Sequence, residues 1–200
     1  MDTAVEIARG ARMTAARLPQ GNVISVLYEQ HARIRGQFDA VSRLHGELRT
    51  AAFGVLREMI AAHEAAEEIV LRPVASPLLP AGVSRARQDE EGDLARGLAA
   101  MERLDVEDHE FARSLYLLEE AFSMHASREE AEEYPAILGA VSEHEQAEMG
   151  RWIVRATRPV PDHPVPLLAE SRSGEGRPVG PFTALAGRAR NRLTEAKSGY

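Results

Sequence analysis

The sequence predicts an all-α protein: an antiparallel up-down four-helix bundle with a short fifth helix, then a C-terminal linker and one more helix. Three observations carry this prediction. Apolar residues recur at three- and four-residue steps in four separate stretches, the spacing that lines one helix face. Short segments rich in turn and capping residues join the stretches, which suits antiparallel neighbours. Nowhere does the chain alternate as a half-buried strand would.

The first helix follows "GN" at 21–22 and carries Ile24, Leu27, Ile34, Phe38 and Val41 on one face, with position 31 completing the rhythm. "HGELR" at 45–49 turns into the second, whose face runs Phe53, Leu56, Ile60 and Val70 once positions 63 and 67 are counted. Pro73, Pro77 and Pro80 are expected to end that helix and fill a loop. The third face is weaker, with Leu94, Leu98 and Met101. "LDVED" at 104–108 offers acidic N-caps to the fourth helix, which holds Phe111, Leu115, Leu118 and Phe122 and is expected to stop at Pro135. Ser142 and Glu145 have capping-box spacing and open the fifth helix.

The expected organisation is an N-terminal extension over 1–20, the bundle over 21–157, and a Pro/Gly/Ser-rich linker with an amphipathic helix over 158–200. That last helix, over 182–196, shows Phe182, Leu185 and Leu193. Helicity and metal content of the bundle are expected not to depend on it.

Composition excludes several classes of function. The net charge of −7 argues against nucleic acid or an anionic membrane as partner. No apolar run approaches the ~20 residues that span a bilayer, and the N-terminus lacks the continuous apolar stretch of a signal peptide. The absence of cysteine removes disulfides, thiolate metal sites and thiol nucleophiles. The chain has no phosphate loop and no dinucleotide fingerprint. A cytoplasmic protein is expected.

The chemistry lies in a repeat. "HEAAEEIVLRP" at 63–73 and "HASREEAEEYP" at 125–135 share His at the first place, Glu-Glu at the fifth and sixth, and Pro at the eleventh. His63 and Glu67 continue the second apolar face, His125 and Glu129 the fourth, and His31 interrupts the first. A spacing of four stacks each His/Glu pair one turn apart. Ionisable groups buried among Leu, Ile and Phe are costly unless paired or coordinated. His31 comes early in its helix, while His63 and His125 come late in theirs, so antiparallel packing brings all three to one level. A ring of imidazoles and carboxylates at one level is how such bundles hold a pair of metal ions.

At this point the chain resembles the hemerythrin-like, or HHE cation-binding, family over roughly residues 20–157. That family's pattern is a His on helix one, His-xxx-Glu on helix two, a His on helix three and His-xxx-Glu on helix four. The resemblance implies two non-haem iron ions held by His31, His63, Glu67, His125 and Glu129, the two glutamates bridging; the hard and borderline donors also suit manganese, or zinc. It also implies a small diatomic or peroxide ligand: dioxygen, peroxide or nitric oxide.

The third-helix histidine is missing. His109 is no substitute, because 16 residues place it about 24 Å along the helix from His125 and about 160° around it. The family's position falls at Glu91 or Gly92, within "RQDEEGDLARGL". Two readings of Glu91 stand: a carboxylate ligand, or one of several acids from Asp89 to Asp93 solvating the start of a helix. Glu68 and Glu130 read either as acceptors for the ligand imidazoles or as a solvated face. Tyr28 reads as pocket lining or as packing. His45, His144 and His163 fall in a turn, a capping box and a linker. Besides oxygen binding or peroxide decomposition, two other classes remain open. One is a metal- or oxygen-sensing module working through the 182–196 helix, and the other is a structural bundle with a degenerate site.

Overall fold

The computed structural model describes residues 9–10, 13–157 and 182–198; the linker expected over 158–181, with His163, lies outside them. All regular structure among the described residues is helical. Helix α1 (Val23–Arg43) is followed by α2 (Gly46–Ala66), a π-helical turn (Glu67–Leu71) and the short α3 (Arg72–Ala75). Next come α4 (Val83–Met101), α5 (His109–Arg128), a second π-helical turn (Glu129–Glu133) and α6 (Tyr134–Ala140). The chain ends with α7 (Glu143–Thr157) and α8 (Phe182–Ser198). No described helix is long and apolar enough to cross a membrane.

The helix starts follow local chemistry. The Asn22 side chain accepts the Ile24 N–H at 2.8 Å and caps α1. Gly46 takes a φ of +57° in the turn into α2, where its N–H donates to Glu107 at 2.6 Å. Ser142 and Glu145 make the reciprocal capping box before α7. α7 lies so close to the start of α1 that a Cβ at Gly150 would sit 2.0 Å from the Gly21 carbonyl oxygen.

Neighbouring helices run in opposite directions. Gln37 of α1 reaches the Ala52 carbonyl of α2, while Gln30 reaches His63 one end further along. Between α4 and α5, Glu90 meets His125 and Gly97 meets Leu118. Apolar side chains gather in two clusters. One contains Phe38, Leu56, Leu98, Phe111 and Phe122, and the other Ile24, Leu27, Leu71, Tyr134 and Ile137. Between them lie the fully buried polar side chains His31, His63, Glu67, His125 and Glu129.

Two expectations are corrected. Pro73 does not end the second helix and Pro135 does not stop the fourth. In each case a π-helical turn precedes the proline and the chain continues as α-helix. The Arg72 N–H bonds back to the Glu67 carbonyl and the Tyr134 N–H to the Glu129 carbonyl, five residues away. The proline then enters the first turn of the next helical segment, where its missing N–H costs nothing. Second, α4 starts at Val83, so Asp89 to Asp93 stand in the middle of a helix rather than at its start. The C-terminal helix α8 is built into the body of the protein. It packs against α2, α7 and α4, and buries Phe182, Leu185 and Ala186 in one cluster and Leu193 in the other. Arg190 pairs with Glu68 at 2.5 Å, and Lys197 stands over the Trp152 ring.

Candidate metal centre

Three histidines turn the same atom inward. His31 Nε2 and His63 Nε2 lie 3.0 Å apart, and His125 Nε2 faces them from the far side of two carboxylates. Each outward Nδ1 has a fixed acceptor. Glu130 takes His31 at 2.8 Å, the Gln30 amide oxygen takes His63 at 3.0 Å, and Glu90 takes His125 at 3.1 Å. An Nδ1–H donated outward leaves the Nε2 lone pair directed into the site, the arrangement a metal-binding imidazole requires. Arg35 supports Glu130 at 3.2 Å and Arg87 supports Glu90 at 2.9 Å.

The two carboxylates span the gap between the histidines. Glu67 Oε1 is 3.5 Å from His63 Nε2, and its Oε2 is 3.9 Å from His125 Nε2. Glu129 Oε2 is 3.3 Å from His31 Nε2, and its Oε1 is 3.0 Å from His125 Nε2. Each therefore offers one oxygen to a His31/His63 half-site and the other to a His125 half-site. Ligand atoms of His31, His63, Glu67 and Glu129 all lie within 4.8 Å of one another, and so do those of Glu64, Glu67, Glu91 and His125.

Sequence reasoning missed the outer acceptors Gln30 and Glu90 and two residues that face the layer itself. Glu64 joins the His125 half-site, with both carboxylate oxygens buried and unpartnered among the described residues. Tyr134 closes the other half-site; its hydroxyl lies 3.3 Å from both His31 Nε2 and Glu67 Oε1. The only trace of either was position in the repeat, the second place for Glu64 and the tenth for Tyr134. Tyr28 stands one layer out, with its ring edge-on to Tyr134 at 5.2 Å. Glu91 is within reach of the site and is bonded by Arg72. Glu130 supports an imidazole, whereas Glu68 does not and faces Arg190 instead. His45, His109 and His144 are remote from the layer: His45 pairs with Glu107, His109 opens α5 in solvent, and His144 is exposed.

The electrostatics reveal a surplus of negative charge. Burial opposes charging of His125, yet Glu129, Glu67 and Glu64 outweigh it and raise its pKa. His31 is raised in the same way by Glu129 and Glu130. Burial, aided by the charges of His31 and His125, holds His63 down to about 3. Burial and crowding by Glu67, Glu91 and Glu129 push Glu64 well above the carboxylate range. Glu91 rises to about 7 through burial, with Arg72 holding it back. The carboxylates thus draw protons into the layer, the role a divalent cation would fill.

The residues present fit such a cation. Glu67 Oε2, Glu129 Oε2, His125 Nε2 and both Glu64 oxygens are buried without a hydrogen-bond partner among the described residues. A buried polar atom without a hydrogen-bond partner costs about 1–3 kcal/mol, so five such atoms converging on one layer are what a bound cation would satisfy. No curated protein and no solved structure matches the chain. The hemerythrin HHE cation binding domain matches residues 22–137, a span that holds every convergent side chain described above, and the chain belongs to that family.

Proposed function

We propose that α1, α2, α4 and α5 form an antiparallel up-down four-helix bundle, within a domain over 21–157, that holds two non-haem iron ions. Manganese and zinc are the alternatives that the donor set also suits. The bundle presents the ions to dioxygen, peroxide or nitric oxide, in a cytoplasmic role of oxidant defence. The observation that carries this reading is the pair of glutamates, Glu67 and Glu129, each with its two oxygens on opposite half-sites. His31 and His63 serve one ion and His125 the other, with Glu91 as a further ligand beside His125. The bound ions would supply redox change and open positions for a small ligand.

The chain's own residues do the rest. Glu130, Gln30 and Glu90 hold the imidazoles in one tautomer, so ligand geometry does not have to be assembled on binding. The apolar clusters on either side keep bulk water from the layer. Burial and the negative charge of Glu67 and Glu129 raise the Tyr134 pKa well above its usual value, so its hydroxyl keeps its proton and can donate it as a hydrogen bond. Iron-loaded protein should change its visible absorption on addition of azide or nitric oxide, in a saturable way. Full iron loading with no spectral response to either probe would contradict the small-ligand reading.

The docking of α8 favours a second reading, a metal- or oxygen-sensing module. α8 touches the motif helix itself through Arg190 and Glu68. Protection of α8 from proteolysis that depends on metal or oxidation state would support this; identical protection in every state would exclude it.

A further inference from the structure

We propose that Glu64 is a ligand to the ion beside His125, completing with Glu91 the half-site that has no second histidine. This inference rests on the metal-pair reading and adds a residue to it. Glu64 immediately follows His63, but about 100° of helix rotation turns the two side chains to different half-sites. His63 faces His31, while the Glu64 carboxylate lies with Glu67, Glu91 and His125, one oxygen or nitrogen from each falling within 4.8 Å of the others.

The structural alternative is a buried acid held neutral by its surroundings. A neutral carboxyl in such a place needs an acceptor for its proton, because an unmade hydrogen bond costs about 1–3 kcal/mol. Glu64 has no acceptor: neither of its oxygens has a hydrogen-bond partner among the described residues. The neighbouring open atoms, His125 Nε2 and Glu67 Oε2, are also unpartnered and belong to residues only 1% exposed. Three unsatisfied donor groups around one point describe a cation site better than a packed acid. Charge agrees: with ions bound and their protons displaced, Glu64, Glu67, Glu91 and Glu129 would supply four negative charges against the four positive charges of two divalent ions. The second copy of the repeat has Ala126 at the matching place, fully buried and apolar. The difference is local to the half-site that lacks a histidine.

Glu64 also lines a cavity of about 300 Å³, together with Glu91, Gly92, Arg72, Phe182 and Arg190.

The test is a titration of the metal-free full-length chain with manganese(II) and, under anaerobic conditions, iron(II), counting bound ions and their affinities. Wild type should bind two ions. Glu64→Gln, which keeps the shape and removes the charge, should keep one ion at near wild-type affinity and weaken the other by about tenfold or more. Glu64→Ala should do the same if the amide disturbs packing, with circular dichroism confirming intact helices. Glu68→Gln, one turn on and outside the site, should retain two ions. Both Glu64 variants binding two ions as tightly as wild type would overturn the proposal. Loss of both ions from folded variants would also overturn it, because Glu64 would then be a shared ligand. A wild type that binds no ion would refute the metal-pair reading itself, a result distinct from either.

Discussion

The two copies of the eleven-residue repeat share a backbone and differ in what they present. Each runs His, a turn of α-helix, the spanning glutamate, a π-helical turn and proline. Because a π turn brings residue i+5 back to the face of residue i, the tenth place of each copy points at the site. In the first copy that place is Arg72, which bonds Glu91; in the second it is Tyr134, which lies against His31 and Glu67. The second place holds Glu64 in one and Ala126 in the other. The sixth holds Glu68, paired with α8, and Glu130, paired with His31. The result is one half-site of two imidazoles closed by a phenol, and one of a single imidazole among carboxylates closed by a guanidinium. A shared backbone fixes where the shared side chains stand, while the places between them decide what each half-site presents.

The largest effect should separate the two half-sites. His125 is the sole imidazole on its side, whereas His31 shares its side with His63. His125→Ala should lower bound metal from about two ions to about one per chain, and His31→Ala should leave more than that. His109→Ala, at the exposed start of α5, should change nothing. Metal analysis after gel filtration reads all three. Equal losses from His125→Ala and His31→Ala would erase the distinction between the half-sites, and loss from His109→Ala would displace α5 altogether.

A smaller effect should separate the two copies at their sixth place. Glu130→Ala frees the His31 Nδ1 and should weaken metal binding by about 10–100-fold, the range for losing an outer acceptor. Glu68→Ala removes only a half-exposed pair with Arg190. It should cost at most about 1 kcal/mol of stability and leave metal affinity unchanged. Calorimetric titration and thermal melts distinguish these outcomes. A matching loss of affinity in both variants would mean that Glu68 reaches the site through α8.

Much of this was legible from period and spacing, and the limits have physical causes. The apolar faces were readable because Ile24, Leu27, Ile34, Phe38 and Val41 keep one helical period, and all are fully buried. His31, His63, Glu67, His125 and Glu129 were readable as polar interruptions of those faces. Glu64 was not, because α-helical rotation assigns the residue next to His63 to another face, and that face turns toward Glu91 and His125. Tyr134 and Arg72 were hidden by the π turns, which shift the face by one residue just where proline suggested an end. A single-face pattern such as Phe182, Leu185 and Leu193 shows that a helix is amphipathic but not what it covers, so the packing of α8 on α2 needed the structure.

On the proposed reading, the buried layer holds a pair of ions. Protein purified from iron-replete cells, or reconstituted anaerobically with iron(II), should carry about two iron ions per chain by elemental analysis. Below about half an equivalent of any transition metal after reconstitution, with the helices intact by circular dichroism, the layer would have to be a structural network of shared protons, and the metal-pair account would be wrong.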